Sequence, residues 1–524
     1  MDATATNVER AAPRRSPSSN DHLRARSRLN LHAYLWGALG CAGSVVLTLA
    51  GTRMLGPQAG GQQLLGPGPV QWWFQTELVS GTVGTEIIFY AGVAALVIAW
   101  VGLGFELRRP DAVSMRTLVV IGALWCLPLA LGPPLFSRDV YSYIAQGTLL
   151  HLGHNPYQVT PLTLGHLGQQ HILNAVSHTW LRTTAPYGPL FLLVVGWLVA
   201  AAGYKLVLAV ILVRLLAVLG VALLIAALPP LAKRLGGDPR RAVWLIALSP
   251  LVLFQLVSPG HNDILMAGVM AVGIAVALRW PLLGIAICAL AATIKVPAAA
   301  GAAFIAVAWA WQTQGSWNRA RVLAQSAIVF AAVLAVVSLA TGVGVSWISG
   351  GLFSTPGKVH LAITPATALG YTTATLLRDL GVAIGGHTLA EIFARVTFGL
   401  TGVYALWLLY RLRSPTLVRY LGVLLVAAAV FGPAAWPWYL CWGLVLLAAC
   451  PKGPLWLAIP AVLVAGAVVV APNGILLLSI GAAPFVLIAY AVIAVCAAAY
   501  VRRQRRAPPI DGPPTVAAEA LLAR

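Results

Sequence analysis

Asp139 stands in the run Phe136-Ser137-Arg138-Asp139-Val140-Tyr141-Ser142-Tyr143, where the apolar stretch 117–135 gives way to a long polar segment. Only 14 of the 524 residues are acidic. A carboxylate kept where a membrane helix meets water is costly, and it is well placed to act on something at that boundary. Two blander roles compete, an ion pair with Arg138 and a cap on the helix that follows. The polar segment beyond it favours chemistry. It continues through Gln146-Gly147 and His154-Asn155-Pro156-Tyr157, and it closes with Thr183-Thr184-Ala185-Pro186-Tyr187-Gly188-Pro189. Tyrosine offers a flat face to a pyranose and a hydroxyl for hydrogen bonds, while Gln, Asn and Thr match sugar hydroxyls. Tyr141, Tyr143, Gln146 and Tyr187 are therefore candidate substrate contacts. For most of the 18 tryptophans an interfacial aromatic belt is explanation enough.

A second constellation is the turn His261-Asn262-Asp263, directly before the apolar run Ile264-Leu265-Met266. Capping of that helix by Asp263 is as good an explanation as a ligand-binding role. Together with a second carboxylate, His261 and Asp263 could also hold a divalent cation and, through it, a phosphate head group. One Asp with one His is a weak metal signal. Lys295 tells more, because Thr293-Ile294-Lys295-Val296-Pro297 sets an ammonium between two apolar stretches. It needs a partner or water, and with carboxylates so scarce a lipid-linked phosphate is the favoured partner over snorkelling to the interface. Arg214 and Lys358 are weaker candidates of the same kind. The aromatic run Ala434-Ala435-Trp436-Pro437-Trp438-Tyr439 could border a lipid groove or belong to the ordinary belt.

The elements that must position these residues are apolar helices. A mean hydropathy of +0.85, with 59% hydrophobic and 9% charged residues, excludes a soluble globular domain. Apolar stretches of spanning length recur near 31–49, 85–107, 117–135, 207–231, 243–257, 264–280 and 282–295. They continue near 298–312, 322–342, 390–412, 420–431, 439–450, 455–471 and 475–500. That is an all-α polytopic membrane protein with about fourteen spans. The net charge of +20 sits in short basic runs between those stretches, so it reports topology under the positive-inside rule and points to no nucleic-acid partner. Both termini are then expected in the cytoplasm. Parity requires 188–203 to be an interfacial or re-entrant helix on the outer side. The large loop 136–204, the turn 258–263 and a second loop 346–387 fall on the outer face.

Residues 1–30 read as a disordered basic segment without a signal-peptide pattern, 31–501 as the membrane domain and 502–524 as a cytoplasmic tail. The six cysteines lack any paired metal spacing and read as packing residues. No GxxxxGK[ST] loop occurs, so ATP-driven transport finds no support. No internal repeat of the inverted-repeat transporter kind is visible.

Taken together, Phe136-Ser137-Arg138-Asp139-Val140-Tyr141-Ser142-Tyr143, Thr184-Ala185-Pro186-Tyr187-Gly188-Pro189, His261-Asn262-Asp263 and Trp436-Pro437-Trp438-Tyr439 resemble the actinobacterial polyprenol-phosphate-mannose-dependent α-(1→6)-mannosyltransferases of lipomannan and lipoarabinomannan assembly. These enzymes belong to the GT-C superfamily. The resemblance runs in order over roughly residues 118–439. It implies a plasma-membrane enzyme with its active site on the outer face, a polyprenyl-phosphate-mannose donor and a lipid-anchored mannan acceptor. It also implies Asp139 as the base. Lys295 and Arg138 are the candidates for the donor phosphate, with Tyr141, Tyr143, Gln146, Tyr187, His261, Asn262 and Asp263 around the substrates. A divalent cation at His261 and Asp263 is left open. The alternatives are a transporter or flippase for a polyprenyl-linked sugar, and a GT-C transferase of another linkage or sugar.

Overall fold

The computed structural model describes residues 19–55, 82–109, 113–349, 364–382, 384–432, 436–451, 458–472, 474 and 480–506. Most of the basic segment 1–30, Lys358 with much of the loop 346–387, and most of the tail 502–524 lie outside them. The described residues form helices and no strand. Apolar side chains without interruption leave the backbone only one way to satisfy its polar groups in a bilayer, and that is within each helix.

Among the described residues, seven helices are long and apolar enough to cross a membrane by length and composition: Leu31–Gly51, Val83–Glu106, Leu206–Arg234, Pro239–Val257, Ser316–Thr341, Gly386–Arg411 and Ser414–Phe431. Eight shorter apolar helices accompany them, among them Met115–Leu131, Asn262–Ala277 and Pro281–Ala292. Most of the stretches expected to span are thus present as helices, but Pro and Gly cut many of them short of full membrane thickness. Prolines start the helices Pro281–Ala292 and Pro189–Ala201, since a missing N–H costs nothing at a helix start.

The segment between Met115–Leu131 and Leu206–Arg234 is folded. It holds the helix Asp139–His151, a 3-10 turn Pro161–Gly165, the short helices Gln170–Ala175 and His178–Leu181, and the helix Pro189–Ala201. Asp139–His151 buries ten consecutive residues, Val140 to Leu149, so it is enclosed on all sides. Its close neighbour is Pro189–Ala201. A Cβ on Gly147 would come within 2.9 Å of the Gly196 nitrogen, and one on Gly196 within 2.6 Å of the Gly147 carbonyl oxygen. Small residues let the two backbones touch.

Elsewhere the core is locked by specific pairs. Trp100 and Trp244 stack at 4.7 Å and exchange indole N–H donations to each other's carbonyls at 3.0 and 2.8 Å. Each buried indole N–H thereby finds an acceptor. Phe136, three residues before Asp139, adopts a left-handed backbone with φ of 66°, a costly state for a bulky residue. It is held there by stacking on Phe254 at 5.5 Å and by its N–H donating to the Pro472 carbonyl at 2.8 Å. The strained residue fixes the direction in which the chain enters the Asp139 helix.

Candidate active site

Asp139 is the first residue of its helix. Its carboxylate neither caps the helix nor pairs with Arg138. Oδ1 accepts a hydrogen bond from Trp180 Nε1 at 2.9 Å, and Oδ2 lies 3.5 Å from His261 Nε2. Arg138 turns away, donating through Nη2 to the Ala175 carbonyl at 2.9 Å, with its guanidinium 5.9 Å from the Tyr141 ring. Side-chain exposure of Asp139 is 20% and that of His261 is 0%. Burial by itself would raise the Asp139 carboxyl. The close approach of His261, followed by the Trp180 N–H and the Lys295 charge, outweighs it and holds the group below its ordinary value. The group is ionised at neutral pH.

Asp263 faces a different partner. Lys295 Nζ donates to its Oδ1 at 2.7 Å, and Trp442 Nε1 donates to the same oxygen at 2.6 Å. Asp263 is 1% and Lys295 14% exposed. The ammonium also lies 4.4 Å from the Tyr439 ring and 5.4 Å from that of Trp442, both within cation–π range. The scarcity of carboxylates in the sequence left a phosphate as the favoured partner of Lys295. Asp263, brought in by the fold from another helix, gives the ammonium a carboxylate partner and occupies one of its donors. Helix capping does not occupy Asp263, whose bonded oxygen reaches across to the other elements.

The two carboxylates belong to one neighbourhood, since the charges of both act on Tyr143, Tyr187 and Tyr439. A backbone splice brings Lys295 close. Gly188 N–H donates to the Ile294 carbonyl at 3.0 Å and Leu190 N–H to the Thr293 carbonyl at 3.1 Å. A Cβ on Gly188 would sit 2.0 Å from the Thr293 oxygen, so only glycine lets the 184–189 turn dock on the break between helices at Lys295. Tyr187 and Tyr143 pack edge to face at 4.6 Å. Burial first, then nearby negative charge that includes Asp139, pushes both phenols well above their ordinary value, so both remain neutral hydroxyls.

Around these groups lie buried polar atoms without hydrogen-bond partners: both amide ends of Gln146 and of Asn262, Asp263 Oδ2 and Arg138 Nε. Tyr187 Oη and Ser142 Oγ are near neighbours, but neither forms a hydrogen bond of proper geometry. Orphaned polar atoms are costly in a finished core. Clustered beside a half-buried carboxylate, they match a ligand rich in hydroxyl groups. Among the described residues no group of three or more His, Cys, Asp and Glu gathers as a metal set. His261 and Asp263, the pair considered for a cation, are turned to Asp139 and to Lys295 respectively.

A model of the family described as "Alpha-(1->6)-mannopyranosyltransferase, N-terminal domain" matches residues 37–311, a range that contains every one of these site residues except the aromatic wall Trp438–Trp442. The chain belongs to that family. A second model, described as "MptB C-terminal domain", matches residues 365–502. Alpha-(1->6)-mannopyranosyltransferase A of Mycobacterium tuberculosis is 34% identical over 425 residues, which is 78% of this chain and 79% of that protein. A probable alpha-(1->6)-mannopyranosyltransferase of Mycolicibacterium smegmatis is 33% identical over 69% of this chain and 70% of its own length. Alpha-(1->6)-mannopyranosyltransferase A of Corynebacterium glutamicum is 28% identical over 71% of this chain and 80% of its own. No solved structure matches the chain.

Within this family member the fold brings Asp139, His261, Asn262, Asp263, Lys295, Tyr143 and Tyr187 into one region, while Gln146 lies buried about two turns further along the Asp139 helix. Arg138 and Tyr141 flank it. Sequence reasoning missed Trp180, Trp442 and Gln255, whose backbone carbonyl meets His261 Nδ1. The indoles were lost in the general count of interfacial tryptophans, and with 41 and 179 positions between them and their carboxylates no sequence signal sets them apart. Arg214, a weaker candidate, is fully buried, with Nη1 donating to the carbonyls of Ala130 and Gly132.

Proposed function

We propose that this chain is an inverting, GT-C-type glycosyltransferase. It moves mannose from polyprenyl-phosphate-mannose to a mannan acceptor with α-(1→6) linkage, in lipomannan and lipoarabinomannan assembly. In this reading it is a multi-pass plasma-membrane protein with about fourteen spans, both termini cytoplasmic and the site on the outer face. The observation that carries the reading is the Asp139 carboxylate: ionised, half-buried, oriented by Trp180 and His261, and bordered by unpartnered amides and tyrosines. The names of the relatives support the sugar and the linkage.

Transfer from a β-linked donor to an α product inverts the anomeric carbon, so a single displacement with one base suffices. The acceptor's 6-hydroxyl oxygen forms the new bond to C1 while the bond from C1 to the phosphate oxygen breaks. The hydroxyl proton passes to Asp139, and polyprenyl phosphate leaves with the electron pair. Charge grows on that phosphate, and Lys295 and Arg138 are the cations assigned to stabilise it. Lys295 has donors beyond the one given to Asp263, and Arg138 Nε is unpartnered. Gln146, Asn262, Tyr141, Tyr143 and Tyr187 are assigned to the sugar hydroxyls.

The test supplies the purified protein with labelled polyprenyl-phosphate mannose and a mannoside acceptor, then determines product linkage. The expected product carries one new α-(1→6) bond. Movement of the labelled lipid across a vesicle bilayer without a new glycosidic bond would establish the transporter alternative instead.

A further inference from the structure

We propose that His261 is a positioning residue for the base: anchored through Nδ1 on a backbone carbonyl, its ring aims Nε2 at the Asp139 carboxylate and orients it. This deepens the reading above and rests on it. The lock begins in the sequence. The helical partner of the Gln255 carbonyl would be the N–H of residue 259, and Pro259 has none. The chain widens here into a π turn, Leu253–Val257, in which Ser258 N–H reaches back to the Leu253 carbonyl at 3.1 Å. Such turns concentrate at functional sites. The N–H of Gly260 is spent on Val257 and that of His261 on Leu256. The released Gln255 carbonyl is taken by His261 Nδ1 at 2.5 Å.

A carbonyl oxygen can only accept, so Nδ1 carries a hydrogen. Nε2 lies 3.5 Å from Asp139 Oδ2 and is otherwise unpartnered, so the ring's free nitrogen is aimed at the carboxylate. Trp438 lies against the ring with centroids 4.2 Å apart and planes at 33°, which fixes the ring's plane. From the elements packed around it, the charged groups are Asp139 on the helix Asp139–His151, the Asp263–Lys295 pair, and Arg214, whose side chain packs against Gly260 and gives Nη1 to the carbonyls of Ala130 and Gly132. Asp139 is the carboxylate that the ring faces. The arrangement follows the logic of a base held by a third group, with the order of residues changed: here the carboxylate is the base and the imidazole the orienter.

Two amide substitutions separate the ring's two contacts. In His261→Gln the side-chain nitrogen reaches the place of Nε2, so the Asp139 contact survives and the Gln255 bond is lost. In His261→Asn the nitrogen reaches the place of Nδ1, so the Gln255 bond survives and the Asp139 contact is lost. The expected kcat per folded molecule is within about tenfold of wild type for His261→Gln and lower by about 100-fold for His261→Asn, with the KM for the lipid donor unchanged in both, since orienting a base is worth a sizeable share of the ~10²–10⁴-fold of general-base catalysis. A merely structural role, anchoring to Gln255, reverses that order. Equal activity in the two variants, or a more active Asn variant, overturns the proposal. Pro259→Ala gives an independent check without touching the ring. It returns an N–H that competes for the Gln255 carbonyl, and it should lower kcat by about tenfold at unchanged donor KM; an unchanged kcat overturns the proposal. Asp139→Asn tells the two levels apart. If that variant is inactive while the His261 order is reversed, only the role of His261 fails; if it is fully active, the assignment of the base fails as well.

Discussion

Lys295 Nζ lies 2.7 Å from Asp263 Oδ1, although 32 positions separate them in the chain. The pair joins the break after the helix Pro281–Ala292 to the first turn of Asn262–Ala277. Removing one partner leaves a buried charge alone, which typically costs about 3–5 kcal/mol. Lys295→Ala should therefore lower the unfolding temperature in detergent as well as weaken donor binding. The double variant Lys295→Ala/Asp263→Asn should recover much of the stability while transfer stays lost. Stability equal to wild type in the single variant would show that the pair contributes nothing.

Among the described residues, Trp180 donates the one hydrogen bond of proper geometry to the Asp139 carboxylate. Trp180→Phe keeps an aromatic ring and removes the N–H that Asp139 Oδ1 accepts. Hydrogen bonds to charged groups contribute about 1.5–3 kcal/mol, so kcat should fall by about tenfold or more with little change in folded yield. Steady-state kinetics on the purified variant check it, and wild-type kcat would remove Trp180 from the site.

Gly188 is where the loop bearing Tyr187 meets the backbone beside Lys295. Gly188→Ala puts a Cβ 2.0 Å from the Thr293 oxygen, so the turn must shift and transfer should fall sharply. Gly399→Ala, at a helical glycine whose added Cβ would meet nothing within 4 Å, should leave activity unchanged. Comparing the two at equal expression separates the clash from a general intolerance of glycine substitution.

The depressed carboxyl of Asp139 also has a signature in pH. A group whose folded value lies below its unfolded value stabilises the fold above the unfolded value, about 4 for Asp. That contribution is lost as pH falls through the folded value. The stability gap between wild type and Asp139→Asn should therefore be constant above about pH 5 and narrow below about pH 4. Unfolding measured on both proteins across that range tests it. A gap independent of pH would mean that Asp139 is not held below its ordinary value.

Much of this site was legible because charge is so scarce in the chain. Asp139, Asp263 and Lys295 stand out against apolar surroundings, and Gly188 and Pro259 announce a turn and a broken helix. The partners were not legible. Asp263 reaches Lys295, Trp442 reaches Asp263 and Trp180 reaches Asp139 only after helices far apart in sequence have packed, and one sequence carries no record of those distances. The π turn at 253–257 escaped for a related reason: its residues read as one more apolar stretch, and hydropathy does not register a one-residue change in hydrogen-bond step. The helices themselves followed from hydropathy, but their lengths did not, because proline and glycine inside apolar runs end them early.

The base assignment is the centre of the account. Asp139→Asn keeps the size of the side chain and its bonding to Trp180, yet it cannot take the acceptor's proton. Turnover per folded molecule, measured with labelled polyprenyl-phosphate mannose and a mannoside acceptor, should fall by ~10²–10⁴-fold while donor binding persists. Near-wild-type turnover in that variant would contradict the account, and Asp263 would become the carboxylate to test.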